Sequence, residues 1–237
     1  MTEPYEHTLI SVRGQAERMV AADQASVHAL VSAIADTKAA ATALASQALD
    51  ELLADLRALG GQTLTAANHR APLTWSAQSI RTEDEYGTDP NTGAHSKTGR
   101  RVSTVNLVIT VREFSLLGQL EASLTDRDPV DVQIIGWSVD EDNPAWALVR
   151  ADAIRAALLK GQDYAAALDG TVTGVQQVAD AGLLGGVAGS PATFAVAGRR
   201  SASLGGESSA TLDPVPQQLT AIIEARLTAQ IGPLPTR

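Results

Sequence analysis

Four histidines, His7, His28, His69 and His95, are the side chains here best suited to hold a transition metal or to move a proton, and their spacing argues against both. A zinc site draws its ligands at short fixed intervals, such as two histidines one helical turn apart, with a nearby carboxylate when the metal is catalytic. None of the four has a second histidine within a turn or a glutamate set between two histidines, so each reads as a structural or solvent-facing imidazole. The absence of cysteine removes disulfides, thiolate nucleophiles and thiolate metal ligands together. Asp140-Glu141-Asp142 offers oxygen donors for a hard cation, but the twelve-residue frame and central glycine of a calcium loop are missing. Acids just ahead of a helix already have a stabilising role beside its N-terminal dipole. The glycines from Gly182 to Gly189 invite comparison with a phosphate cradle, yet no Gly-Lys-Ser/Thr follows and no helical pattern starts there. Serines are numerous without a Gly-x-Ser-x-Gly elbow to make one a nucleophile. The expectation is a chain that is not an enzyme, with no catalytic, cofactor-binding or metal-binding residues.

Charge narrows the partners. With 27 acidic against 18 basic residues the net charge is -9, and phosphate backbones need a basic stripe that this composition does not supply. The one basic cluster, Lys97, Arg100 and Arg101, falls in a polar stretch and reads as a solvated loop face. No apolar run approaches the roughly 20 residues that span a bilayer. Residues 1–7 carry acids where an export signal carries bases, and no apolar segment follows, so a cytoplasmic location is expected.

The elements that would position any site follow from periodicity. Ile10, Val12, Gly14 and Ala16 alternate with Ser11, Arg13, Gln15 and Glu17, and a second alternation over 24–35 carries Ala25, Val27, Ala29, Val31 and Ala33, so the two predict an antiparallel hairpin. Asp36 or Thr37 can cap a helix of about six turns with a stripe of Ala41, Leu44, Ala48, Leu52, Leu56 and Leu59, stopped by Gly60-Gly61. Residues 62–78 read as a strand interrupted near Pro72, and 81–99 as an exposed polar excursion without apolar periodicity.

Residues 102–178 are the clearest stretch. Val105, Leu107, Ile109 and Val111 form a strand, Phe114, Leu117, Leu120 and Leu124 a short helix, and 130–139 a further strand. Asn143 and Pro144 then open a long helix rich in alanine, which allows close approach to a sheet, and 172–178 returns as a strand. A glycine-rich loop over 182–214 follows. Leu219, Ala221, Ile223, Ala225, Leu227, Ala229 and Ile231 then alternate as a final strand that needs a partner earlier in the chain. Aromatics are only 3% of residues, so the core must be built from Ala, Val, Leu and Ile. The class is α+β, with helices packed on a mixed or antiparallel sheet and elements in the order β-β-α-β-β-α-β-α-β-β.

That order, together with Ile10-Ser-Val-Arg-Gly-Gln-Ala-Glu17, Val105-Asn-Leu-Val-Ile-Thr-Val-Arg-Glu-Phe-Ser-Leu-Leu-Gly118 and Gln133-Ile-Ile-Gly-Trp-Ser-Val-Asp140, resembles the SIMPL-domain family, named for a protein that associates with a pelle-like kinase and widespread in bacteria. The resemblance implies one SIMPL-type domain over 8–231 and supplies no catalytic residues. It also implies self-assembly, since some bacterial members form ring-like or disc-like particles, and many relatives work in the periplasm behind an export signal not visible here. The expected function is therefore a non-catalytic homo-oligomer. Its candidate interaction residues are Leu183, Leu184, Phe194 and Leu204 in the glycine-rich loop and Ile223, Leu227 and Ile231 in the final strand. The alternative is a monomeric or dimeric adaptor that binds a protein or peptide through the 81–99 excursion or a sheet edge. An enzyme or small-ligand carrier has the least support, because no polar constellation converges.

Overall fold

The two alternating segments near the N-terminus become strands, but they do not pair with each other. In the computed structural model, which describes residues 8–88, 93–184, 201–202 and 213–232, β1 (Thr8–Val20) and β2 (Gln24–Ala35) lie in different sheets. The three residues between them, Ala21, Ala22 and Asp23, show none of the positive φ that a tight hairpin turn uses, and the chain passes there from one sheet to the other. The apolar faces of the two strands are then buried in separate cores.

The remaining elements are α1 (Lys38–Ala58), β3 (Gln62–Thr63), β4 (Leu73–Ala77), β5 (Arg81–Thr88), β6 (His95–Val111), a short 3-10 turn (Phe114–Leu116), α2 (Leu117–Thr125), β7 (Val130–Ser138), α3 (Ala145–Ala166), β8 (Thr171–Asp180), β9 (Ser201–Ala202) and β10 (Gln217–Gln230). The α+β class holds, with helices packed on antiparallel and mixed sheets. The single sheet expected from the final strand is replaced by two. The chain divides into two compact units, one holding 8–20, 140–184 and 216–232, the other 21–88, 93–139, 201–202 and 213–215. Residues 102–178, continuous in sequence, are shared between them.

The second unit is a sheet in the order β3-β4-β6-β2-β7-β9, with β5 paired to the first half of β6. Odd-numbered residues of β2 and β6, among them Val27, Val31, Val105, Leu107 and Ile109, point to one side and are buried with Leu52 and Leu56 of α1 and Leu120 and Leu124 of α2. Thr37 caps α1 by accepting from the Ala40 amide at 3.2 Å, and Gly60, at φ +81°, ends it. Leu44, expected in the buried stripe, is exposed, and Ala45 is buried instead. At about 100° per residue the line through Ala41, Ala45, Leu52 and Leu56 leaves Leu44 on the flank. Arg127 fastens this helix from the loop after α2, reaching Glu51 at 3.0 Å and Asp55 at 2.5 Å.

The described residues of the 81–99 stretch are mostly strand, not loop. β5 and the start of β6 form a two-stranded ribbon, and the pairs across it explain why no apolar period marks it. Lys97 meets Asp84 at 2.6 Å, Arg101 meets the same carboxylate, and Arg100 meets Glu85 at 2.8 Å. The basic cluster is thereby held on a strand against acids.

The first unit is a three-stranded antiparallel sheet, β1-β10-β8, with Thr8 opposite Ala229 and Val20 opposite Gln217. The alternation of β10 appears directly in burial: Leu219, Ile223, Ala225, Leu227 and Ala229 face α3. That helix presents Val149, Ala153, Ala157, Gly161 and Ala165, one every four residues and nearly all small. Its backbone therefore reaches the sheet. A Cβ built on Gly14 would stand 2.0 Å from the Ala153 carbonyl oxygen and 2.6 Å from the Ala157 nitrogen, and one on Gly161 would stand 2.1 Å from Leu227 Cδ1.

These two glycines separate a rigid contact from a compliant one. Gly14→Ala forces backbone against backbone and should cost about 3 kcal/mol, whereas Gly161→Ala meets the end of a leucine and recovers up to about 1 kcal/mol of helix propensity. Urea denaturation should rank Gly14→Ala well below Gly161→Ala in midpoint; equal midpoints would contradict the close approach at Gly14.

Candidate interaction surface

The two faces of the β1-β10-β8 sheet have different tasks. On the side away from α3, the even positions of β10 place Glu224 opposite Arg13 of β1, and the two form an ion pair at 2.8 Å. Glu224 also accepts from the Leu184 amide at 3.3 Å, while Arg226 donates to the Leu184 carbonyl at 2.9 Å. The turn after β8, shaped by Gly182 at φ +86°, is thus seated on the middle strand by two side chains of opposite sign. The Arg13 guanidinium, and then the backbone N–H groups of Gly182 and Leu184, hold the Glu224 carboxyl below the usual glutamate range. A depression of about 330 Å³ lies beside this clamp, lined by Ser11, Arg13, Leu184, Glu224 and Arg226.

The candidate residues fall into distinct places. Ile223 and Leu227 are buried under the helix and belong to the core. Ile231 is half-buried just past the strand, Leu184 is half-buried in the clamp, and Leu183 is 73% exposed. Phe194 and Leu204, like most of the glycine-rich stretch, lie outside the described residues. The structure adds residues that alternation did not single out: Val175 and Val178 of β8 and Leu148, Leu159 and Tyr164 of α3 are all substantially exposed. Periodicity tells which side of an element is apolar, and it does not tell how far a covering helix extends. Glu224 and Arg226 were missed for a related reason, since their partner lies about forty residues away and no local pattern announces it.

The histidines stay apart. His28 lines a depression of about 420 Å³ on the second unit with Gln24, Ser26, Val108, Ile134 and Ser138, and no other titratable side chain lines it. His69 Nδ1 lies 2.9 Å from the Ala66 carbonyl, and His95 Nδ1 lies 3.2 Å from the Thr88 hydroxyl on the ribbon. His7 is outside the described residues. Among the described residues no three His, Asp or Glu side chains form a group that could hold a metal ion, and no helix is long and apolar enough to cross a membrane.

The fold and its surface define a two-unit α+β protein in which helices cover one face of antiparallel sheets. The SIMPL family model, described as a protein of unknown function (DUF541), matches residues 10–231, and the chain belongs to that family. No curated protein matches it.

The clamp titrates with a defined sign. Because the folded-state pKa of Glu224 is lowered, its stabilisation is complete above the ordinary glutamate pKa of about 4.3 and is lost as pH falls through the lower folded value. At neutral pH, Glu224→Gln should speed amide hydrogen exchange at Gly182 and Leu184, and the gap in stability between the two proteins should close on acidification. A gap that persists in acid would show that the carboxylate charge is not what holds the turn.

Proposed function

We propose that this SIMPL-family chain is a non-catalytic protein whose work is done by assembling with copies of itself, as a closed ring-like or disc-like particle. The observation that carries the reading is the apolar surface of the first unit. Helix α3 buries a small-residue stripe on one side and still exposes Leu148, Leu159 and Tyr164, while β8 exposes Val175 and Val178. A surface helix ordinarily confines its apolar residues to one face, and apolar side chains gathered on a surface mark a contact with another chain. Closed symmetry lets one such surface be covered repeatedly by identical subunits.

A second reading has one feature in its favour: Tyr86 is 61% exposed on the β5–β6 ribbon, where an adaptor would meet a protein or peptide partner. The neighbouring charges already satisfy one another across the strands, which leaves the ribbon less to offer than the first unit.

Sedimentation equilibrium at micromolar concentration should return a multiple of the 24.6 kDa chain mass. A chain shortened by removal of residues 85–99 should keep the same number of subunits. A monomer in the first measurement would sink the assembly reading, and loss of mass only on shortening would move the contact to the ribbon.

A further inference from the structure

Margins of the sheets differ in how they meet solvent, and one of them lacks the usual protection. β3 and β9 are two residues long. β5 carries Arg81, Glu83, Asp84 and Glu85. β1 carries Arg13, Glu17 and Arg18, with Lys160 of α3 donating to the Arg13 carbonyl at 2.8 Å and Asp152 of α3 pairing with Arg18 at 2.9 Å. Short length and charge are what keep exposed strand margins from pairing with other chains. β8 is ten residues long and has no charged side chain from Thr171 to Ala179, in a chain of net charge -9.

The register supplies a geometry. Bulges in β8 between Val172 and Gly174 and between Val175 and Gln177 set Val172 opposite Ala229, Val175 opposite Leu227 and Val178 opposite Ala225. Without bulges, side chains three residues apart point to opposite faces. With them, all three valines lie on the α3 side. Helix α3 is seated on β1 and β10, and it leaves Val175 51% and Val178 45% exposed. Bulges often turn a margin away from pairing; here they gather an apolar row along it.

That row is symmetric about Val175. We propose that β8 pairs antiparallel with β8 of a second copy across a two-fold axis at Val175, joining two three-stranded sheets into one of six strands. The proposal rests on the assembly reading above and names one of its contacts, since a two-fold contact alone closes at a dimer. About this axis Val175 meets its own counterpart, and Val172 meets Val178 of the second copy. The two Asp180 carboxylates stand at opposite ends and do not face each other across the paired strands. An unrelated extended peptide would satisfy the backbone but would not supply the valine row in matching places. A self-complementary patch is the signature of a two-fold contact.

The absence of cysteine makes the test clean. In the full chain, Val175→Cys should give a covalent dimer with a short bismaleimide linker. Thr171→Cys should not, because pairing about Val175 holds its two copies roughly 26 Å apart at about 3.3 Å per residue. Val175→Lys, at a half-exposed position and checked for folding by circular dichroism, should weaken self-association at least tenfold by placing two ammonium groups on the axis. If the chain assembles but Val175→Cys stays unlinked and Val175→Lys associates as before, the β8 contact is wrong while the assembly reading stands. If the unmodified chain is monomeric throughout, both are wrong.

Discussion

The first unit depends on the position of β10 between β1 and β8. Among the described residues neither neighbour has another strand partner in that sheet, so the backbone hydrogen bonds of three strands, drawn from three separate stretches of sequence, all pass through this one. The same strand carries the leucines and isoleucine that bury α3 on one side and the Glu224 and Arg226 side chains that seat the turn after β8 on the other. A substitution in β10 therefore acts on a sheet, a helix and a turn together.

The two units solve the scarcity of aromatic side chains in different ways. The second buries Trp75 and Trp137 with leucines from two helices and sets Phe114 edge-on to Trp137 at 5.3 Å. The first has almost nothing large on the buried stripe of its helix and reaches density by proximity, with alanines of α3 brought onto Gly14 of β1. A helix held that close covers little width. Two strands lie beneath it and the third is left half covered, so the exposed valines of β8 follow from the choice of small residues in α3.

Much of this was legible in the residues themselves. Alternation located β1, β2, β6 and β10 because each has one buried face, and Thr37 with Gly60-Gly61 marked both ends of α1 because capping is a local hydrogen-bonding need. Pairing was not legible. Val20 and Gln24 are neighbours in sequence and belong to different sheets, while β1 finds its partner in β10, a choice made by which apolar faces share a core. The β5–β6 ribbon escaped for the opposite reason: its strands are held by ion pairs such as Lys97 with Asp84 and have no buried face to create a period. Among the interaction candidates, Ile223 and Leu227 were apolar at the right spacing and proved to be core, while Val175 and Val178 were visible as strand residues but not as exposed ones.

The pairing of β1 with β10 also sets a timetable. Arg13 and Glu224, joined in the folded protein, are 211 residues apart, so β1 leaves the ribosome long before the strand that will hold it. The second unit has nearly all of its chain by then and can condense, since domains fold as units while synthesis continues. Through that interval Ile10 and Val12 have no cover. Contacts so distant in sequence form slowly, and a strand without its partner stays open to wrong ones while it waits.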